Sequence, residues 1–177
     1  LATSQGIYKS YDGGANWTLV LTGGFKQIEN HPTDTAIIYA AGSVVGTSQV
    51  YRSADGGATW VAASTFPSNI RVAIAVTPAN VAVVRAIVAN VSNGLEGIYS
   101  STDTGKTFTK IFDDGTGCST NLLANSPNAN TCGGQGWYDL AIAISPRDEN
   151  EMVVGGVNTW YTSNGGYSWQ IASQWTN

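Results

Sequence analysis

A carboxylate placed directly behind two aromatic residues is the arrangement in this 177-residue chain best suited to chemistry. Asp139 follows Trp137 and Tyr138 in the stretch GGQGWYDL, residues 133–140. Flat apolar ring faces can stack on sugar rings while a carboxylate accepts hydroxyl donors. Gln135, Trp137, Tyr138 and Asp139 therefore form a candidate ligand-binding set, and Asp139 is the one candidate for a catalytic group. Its competing reading is a carboxylate bonded to backbone at the start of a strand. Hydrolysis of a glycosidic bond needs two carboxylates about 5–9.5 Å apart. The remaining acids outside the repeats described below are Glu29, Asp34, Glu96, Asp113, Asp114, Asp148, Glu149 and Glu151. Most fall in turns or loops, where a solvated carboxylate is ordinary, so no complete catalytic set emerges.

Other chemistries find less support. His31, directly before Pro32, is the single histidine; it reads as a turn residue and cannot complete a Ser-His-Asp or Cys-His set. Asp113-Asp114-Gly115 lacks further oxygen ligands at calcium spacing. Gly133-Gly134-Gln135-Gly136 lacks the lysine and the following helix of a phosphate loop. No metal and no cofactor is expected. Cys118 and Cys132 flank a Gly/Asn/Ser-rich segment; a disulfide there would contribute roughly 3 kcal/mol in an oxidising compartment, and two free thiols are the alternative. The formal net charge is −4 with no Lys/Arg cluster, which argues against a nucleic-acid or anionic-membrane surface. Apolar runs such as Val81–Val84 are far too short to span a bilayer. An opening at Leu1 fits a mature or excised segment of a longer product.

These groups must be positioned by a repeat. The octapeptide SYDGGANW, built on Ser10, Asp12, Gly14 and Trp17, recurs three times. The second copy, SADGGATW, carries Ser53, Asp55, Gly57 and Trp60. The third, STDTGKTF, carries Ser101, Asp103, Gly105 and Phe108. The fourth, TSNGGYSW, carries Thr162, Asn164, Gly166 and Trp169. The acidic or amide side chain can accept backbone N–H groups of its own turn, and glycine supplies positive φ. The terminal aromatics are expected to fold back as apolar anchors between neighbouring sheets.

Between these boxes lie alternating apolar runs that end in proline, each followed by a second β-type run: FKQIENHP then AIIYAAG, IRVAIAVTP then VAVVRAIVAN, WYDLAIAISP then EMVVGGVN. Alternation with β-branched residues predicts half-buried strands. Proline ends each run because it has no N–H for the ladder. Hydrophobic content of 42%, charged content of only 11% and 21 glycines suit short strands with many tight turns. The fold expected is all-β: a partial β-propeller of about three and a half four-stranded blades. Residues 1–22 make a half-blade, residues 23–64, 65–112 and 137–175 make blades, and 113–136 is a long loop insertion pinned by the cysteines. Such a set does not close a ring. Its partners would include the remaining blades of a longer chain, or another copy.

The S-x-D-x-G-x-x-W frame resembles the Asp-box (BNR) repeats of sialidase-like propellers, a group that includes sortilin-type receptors and xyloglucan-cleaving glycosidases. The stretch 133–169 is similar to propeller segments of secreted Bacteroidetes surface proteins exported by the type IX system. The resemblance implies a propeller fold, a box that is structural and not catalytic, and an extracellular or cell-surface location. It leaves function open between a binding or scaffolding module for a glycan or surface protein, a glycoside hydrolase fragment, and an architectural component of a surface assembly.

Overall fold

The computed structural model of the chain describes residues 1–44, 48–67 and 69–175. Strands β1 (Gly6–Lys9) and β2 (Thr18–Thr22) pair alone. The first four-stranded sheet contains β3 (Phe25–Asn30), β4 (Ile38–Gly42), β5 (Val50–Ser53) and β6 (Val61–Ala62). The second contains β7 (Asn69–Val76), β8 (Val84–Asn90), β9 (Leu95–Ser101) and β10 (Thr109–Phe112). The third contains β11 (Ala141–Ile144), β12 (Met152–Gly155), β13 (Thr159–Thr162) and β14 (Gln170–Ser173). Strands follow chain order within every sheet and all pair antiparallel. This is a partial β-propeller whose sheets do not close into a ring. Among the described residues no helix is long and apolar enough to cross a membrane.

Half-burial of the alternating runs holds at the end of the stack and fails in its middle. In β11 the residues Ala141 and Ala143 are exposed and Ile144 is buried. In β7 the residues Val72, Ala73, Ile74 and Ala75 are all buried. Val72 and Ile74 pack with Tyr39, Ala41 and Val50 of the preceding sheet. Ala73 and Ala75 face the other way, toward Leu140 and Ile144 respectively. Alternation thus assigns residues to two faces, and a blade with neighbours on both sides buries both.

Each repeated octapeptide is the turn into the last strand of its sheet, and its first hydroxyl has two tasks. It accepts the N–H of the fifth residue, with Gly14 on Ser10 at 2.7 Å, Gly57 on Ser53 at 2.8 Å, Gly105 on Ser101 at 2.9 Å and Gly166 on Thr162 at 3.3 Å. It also donates to the third side chain, at 2.7–2.8 Å in every copy. The carboxylates of Asp12, Asp55 and Asp103 accept the backbone N–H of the seventh residue at 2.9, 2.9 and 3.0 Å. Each also accepts that residue's side chain: the Asn16 amide at 2.7 Å, and the Thr59 and Thr107 hydroxyls at 2.6 Å. In the fourth copy the polarity reverses. Asn164 Oδ1 accepts the Ser168 N–H at 3.0 Å, and Asn164 Nδ2 donates to the Ser168 hydroxyl at 2.8 Å.

The turns also lock the sheets together. A Cβ on Gly105 would stand 2.5 Å from the Tyr39 ring of the preceding sheet, at a φ of +74°. The neighbouring Thr104 carbonyl accepts the Tyr39 hydroxyl at 3.0 Å and Arg52 Nε at 2.8 Å. Arg52 is thereby an inter-sheet clamp. Trp60 packs against the cluster of Ile7, Phe25 and Ala40. Phe108 lies 6.3 Å from Phe66, and Trp169 lies 6.3 Å from Phe112. Trp17 departs from its expected anchoring role and is 49% exposed, since among the described residues no sheet stands in front of its turn.

Segment 113–136 is more than a pinned loop. A 3₁₀ turn spans Thr116–Cys118, and Cys118 and Cys132 are disulfide-bonded. Beyond that turn Leu122 and Leu123 are buried with Leu95, Ile98, Leu140 and Trp160. Asn121, fully buried, organises the segment: its Oδ1 accepts the Leu95 and Leu123 N–H groups at 2.8 and 3.2 Å. Its Nδ2 donates to the Thr131 and Gly133 carbonyls at 2.7 and 2.8 Å. The segment has no hydrophobic period because it is a single capping turn, fixed by one amide and two leucines.

Two outcomes follow from these turns. The Asp12 carboxyl is held down to about 2, chiefly by the Asn16 amide and backbone and then by the Ser10 hydroxyl. The Thr59 and Thr107 hydroxyls lead in holding the Asp55 and Asp103 carboxyls well below the usual range. Depressed carboxyls contribute stability that is fully present above the unfolded value of about 4 and is lost as pH falls toward the folded values. The midpoint of thermal unfolding, followed by circular dichroism, should therefore drop as pH is lowered from about 4 to about 2. A triple Asp12→Asn, Asp55→Asn, Asp103→Asn variant, bonded as Asn164 is, should lack that component. Asn121→Ala should lower stability by roughly 3 kcal/mol or more in denaturant unfolding, because each buried group left without a partner costs about 1–3 kcal/mol.

Candidate functional site

The stretch from Gly133 to Leu140 forms a tight turn in front of β11. Its N–H and C=O groups set the shape: Gly136 donates to the Asn93 carbonyl at 3.0 Å, Tyr138 to the Gln135 carbonyl at 2.8 Å, and Asp139 to that same oxygen at 3.2 Å. Gly136 is buried, and a Cβ there would lie 2.7 Å from the Ala89 Cβ, so only glycine lets the turn sit on β8. With the backbone pulled inward, the side chains of Trp137 and Tyr138 point outward. They are 54% and 69% exposed, with ring centroids 5.3 Å apart and planes inclined at 51°. Leu140 behind them is buried in the core.

The turn is held from outside by two cations. Arg71, on β7, spreads its guanidinium over three carbonyls: Trp137 at 3.3 Å and Tyr138 at 2.6 Å from Nη1, and Leu140 at 3.3 Å from Nη2. Lys26, on β3, donates to the Trp137 carbonyl at 3.1 Å. Strands β3, β7 and β11 are edge strands of three successive sheets, and β7 packs against both others. Three blades therefore contribute to one cluster. Both β3 and β7 carry a β-bulge at this point, between Phe25 and Gln27 and between Asn69 and Arg71. Bulges re-aim side chains next to functional positions.

Asp139 lies behind the aromatic pair. Its Oδ1 is buried and has no hydrogen-bond partner. Burial raises its pKa above the ordinary value, and a bond from its own backbone N–H and then the Arg71 charge oppose that rise. Burial lowers the pKa of Arg71, and burial together with the Arg71 charge lowers that of Lys26. Gln135 is exposed and contributes its backbone carbonyl to the turn.

Sequence reading finds the aromatic and acidic members and misses Lys26 and Arg71. A signal was present in the repeat itself: Arg71 and Asp139 stand at the same distance before Pro78 and Pro146, and Lys26 is one position closer to Pro32. Aligning the three runs on their prolines stacks the charged positions. The apolar cleft of ≈ 400 Å³ lined by Ile7, Trp17, Ile28, Ile38 and Trp60 shares no residue with this cluster. Among the described residues no group of three or more His, Cys, Asp or Glu side chains could hold a metal ion.

The candidate site is thus an exposed aromatic pair beside two cations and a carboxylate on a partial β-propeller. Solved structures carry the same fold. The chain is similar to an ancestral GH74 enzyme at a TM-score of 0.68 and 16% identity, over 96% of this chain and 21% of that one. It is similar to the GH74 enzyme of Niastella koreensis at 0.65 and 22% identity, over 96% of this chain and 26% of that one. YCF48 from Cyanidioschyzon merolae aligns at 0.52 and 21% identity, over 83% and 36% of the two chains. The chain thus spans about a fifth to a quarter of the length of these two GH74 enzymes. No protein-family model matches the chain, and no curated protein does.

Proposed function

We propose that this chain is a segment of an extracellular or cell-surface β-propeller that binds a glycan through the turn at residues 135–139. The carrying observation is the exposure of Trp137 and Tyr138 side by side on a backbone fixed by Arg71 and Lys26. Two adjacent aromatic groups kept in water at 54% and 69% exposure, on a backbone held by directed contacts, support reading the turn as a binding surface. A surface protein is the other ligand class, but stacked rings with a nearby carboxylate fit a sugar better. The Cys118–Cys132 disulfide supports an oxidising location. The repeated turns are Asp-box (BNR) turns on this reading, and residues 1–22, 23–64, 65–112 and 137–175 are the half-blade and the blades. The likeness of 133–169 to Bacteroidetes proteins of the type IX system supports secretion, and the remaining blades of a longer chain, or another copy, complete the ring.

In isothermal titration of the full-length protein against soluble oligosaccharides, Trp137→Ala and Asp139→Ala should each weaken binding by about tenfold or more, near 1.4 kcal/mol. Their circular dichroism spectra should not change. Unchanged affinity would remove the turn from the function. A second reading, a glycoside hydrolase, is favoured by the raised pKa of Asp139, the property a general acid needs. Its partner carboxylate would then lie outside this chain. Hydrolysis of polysaccharides by the full-length protein, abolished by Asp139→Asn, would select that reading.

A further inference from the structure

Cys118 and Cys132 join two unlike stretches of chain. No residue from 113 to 120 is buried. Among the described residues, the hydrogen bonds of this arm run only within it. Gly115 N–H donates to Asp113 Oδ1 at 3.0 Å, and Cys118 N–H donates to the Gly115 carbonyl at 3.3 Å. Thr120 donates through its N–H to the Asp114 carbonyl at 2.9 Å and through its hydroxyl to the Asp113 carbonyl at 3.0 Å. Among the described residues the disulfide is thus the arm's one directed tie to the body between its chain ends. Cys118 also holds a φ of +62°, a left-handed conformation that a Cβ disfavours. Cys132 is placed differently. It is exposed, and Asn121 Nδ2 fixes the carbonyls on both sides of it, Thr131 at 2.7 Å and Gly133 at 2.8 Å. Asn121 is itself fully buried. One half of the disulfide is therefore anchored and open to solvent, and the other rides on a loosely held arm.

From this asymmetry we propose that Cys132 is a thiol-exchange site, at which a small or peptide thiol becomes covalently attached to the folded protein. The incoming thiolate bonds to Cys132 Sγ as the S–S bond breaks, and the bonding pair leaves on Cys118. The proton given up by the incoming thiol ends on the Cys118 sulfur, so the exchange consumes no oxidant or reductant. Access to the attacked sulfur and the ease of departure of the other govern such reactions. Here the attacked residue is the exposed one, and departure lets Cys118 relax from its left-handed φ. Asn121, Leu122 and Leu123 stay buried and keep the cap in place, so the turn bearing Trp137 and Tyr138 survives the exchange. The disulfide closes the arm and does not hold the cap.

The test incubates the oxidised full-length protein with cysteamine in native buffer, quenches with acid and maps the adduct by mass spectrometry. One cysteamine should be found on Cys132 with Cys118 as a free thiol. Circular dichroism and tryptophan fluorescence should match those of the untreated protein. The exchange rate should lie within about tenfold of that in denaturant, because access controls it. The freed arm should also be cut several-fold faster at Asp113 or Asp114 by a protease that cleaves before aspartate. A disulfide that exchanges only after denaturant is added would overturn the inference. An adduct chiefly on Cys118, or loss of the native spectra on exchange, would do the same. Unchanged cleavage at Asp113 and Asp114 would show that something other than the disulfide holds the arm, and would also sink the proposal.

Discussion

A single hydroxyl in each turn underlies the architecture. Ser10, Ser53, Ser101 and Thr162 each bond the backbone of the fifth residue and the side chain of the third. That pair of bonds closes an eight-residue loop with little help from packing, so every blade receives its last strand by local chemistry alone. Sheet-to-sheet adhesion is then added on top. Gly105 admits Tyr39, the Thr104 carbonyl receives Tyr39 and Arg52, and Trp60, Phe108 and Trp169 reach the preceding sheets.

The same logic of backbone acceptors builds the site. Arg71 and Lys26 reach across from two blades to grip the third through carbonyl oxygens. Relative blade position is thereby coupled to the shape of the turn that carries Trp137 and Tyr138. Asn121 and Leu123 support the same turn from behind: Asn121 bonds the Gly133 carbonyl, and the Leu123 side chain lies 3.0 Å from where a Gly136 Cβ would be. The tilted aromatic pair is therefore backed by short, directed contacts to its main chain.

Fold and site differ in how far the residues announce them. Four octapeptides in register with proline-terminated strands make a partial propeller legible, because a repeat multiplies a weak local signal. Trp137, Tyr138 and Asp139 are legible because they break that repeat. Burial of both faces of β7 is not legible from alternation, which says which residues share a face and nothing about how many neighbours a sheet has. Segment 113–136 is opaque for a related reason: a turn ordered by one buried amide and two leucines has no period to detect. Lys26 and Arg71 escape a reading made along the chain, since their meeting is created by bulges and by the stacking of three sheets.

Because the clamps at 137, 138 and 140 fall on main-chain oxygens, every amino acid except one that distorts the turn offers them the same handle. Side-chain identity at 137 and 138 is thus free of the duty of holding the fold. Selection can rewrite the outward surface while the scaffold beneath stays fixed. The outward surface of the turn and the contacts that hold it are therefore separable, since one resides in side chains and the other in the main chain.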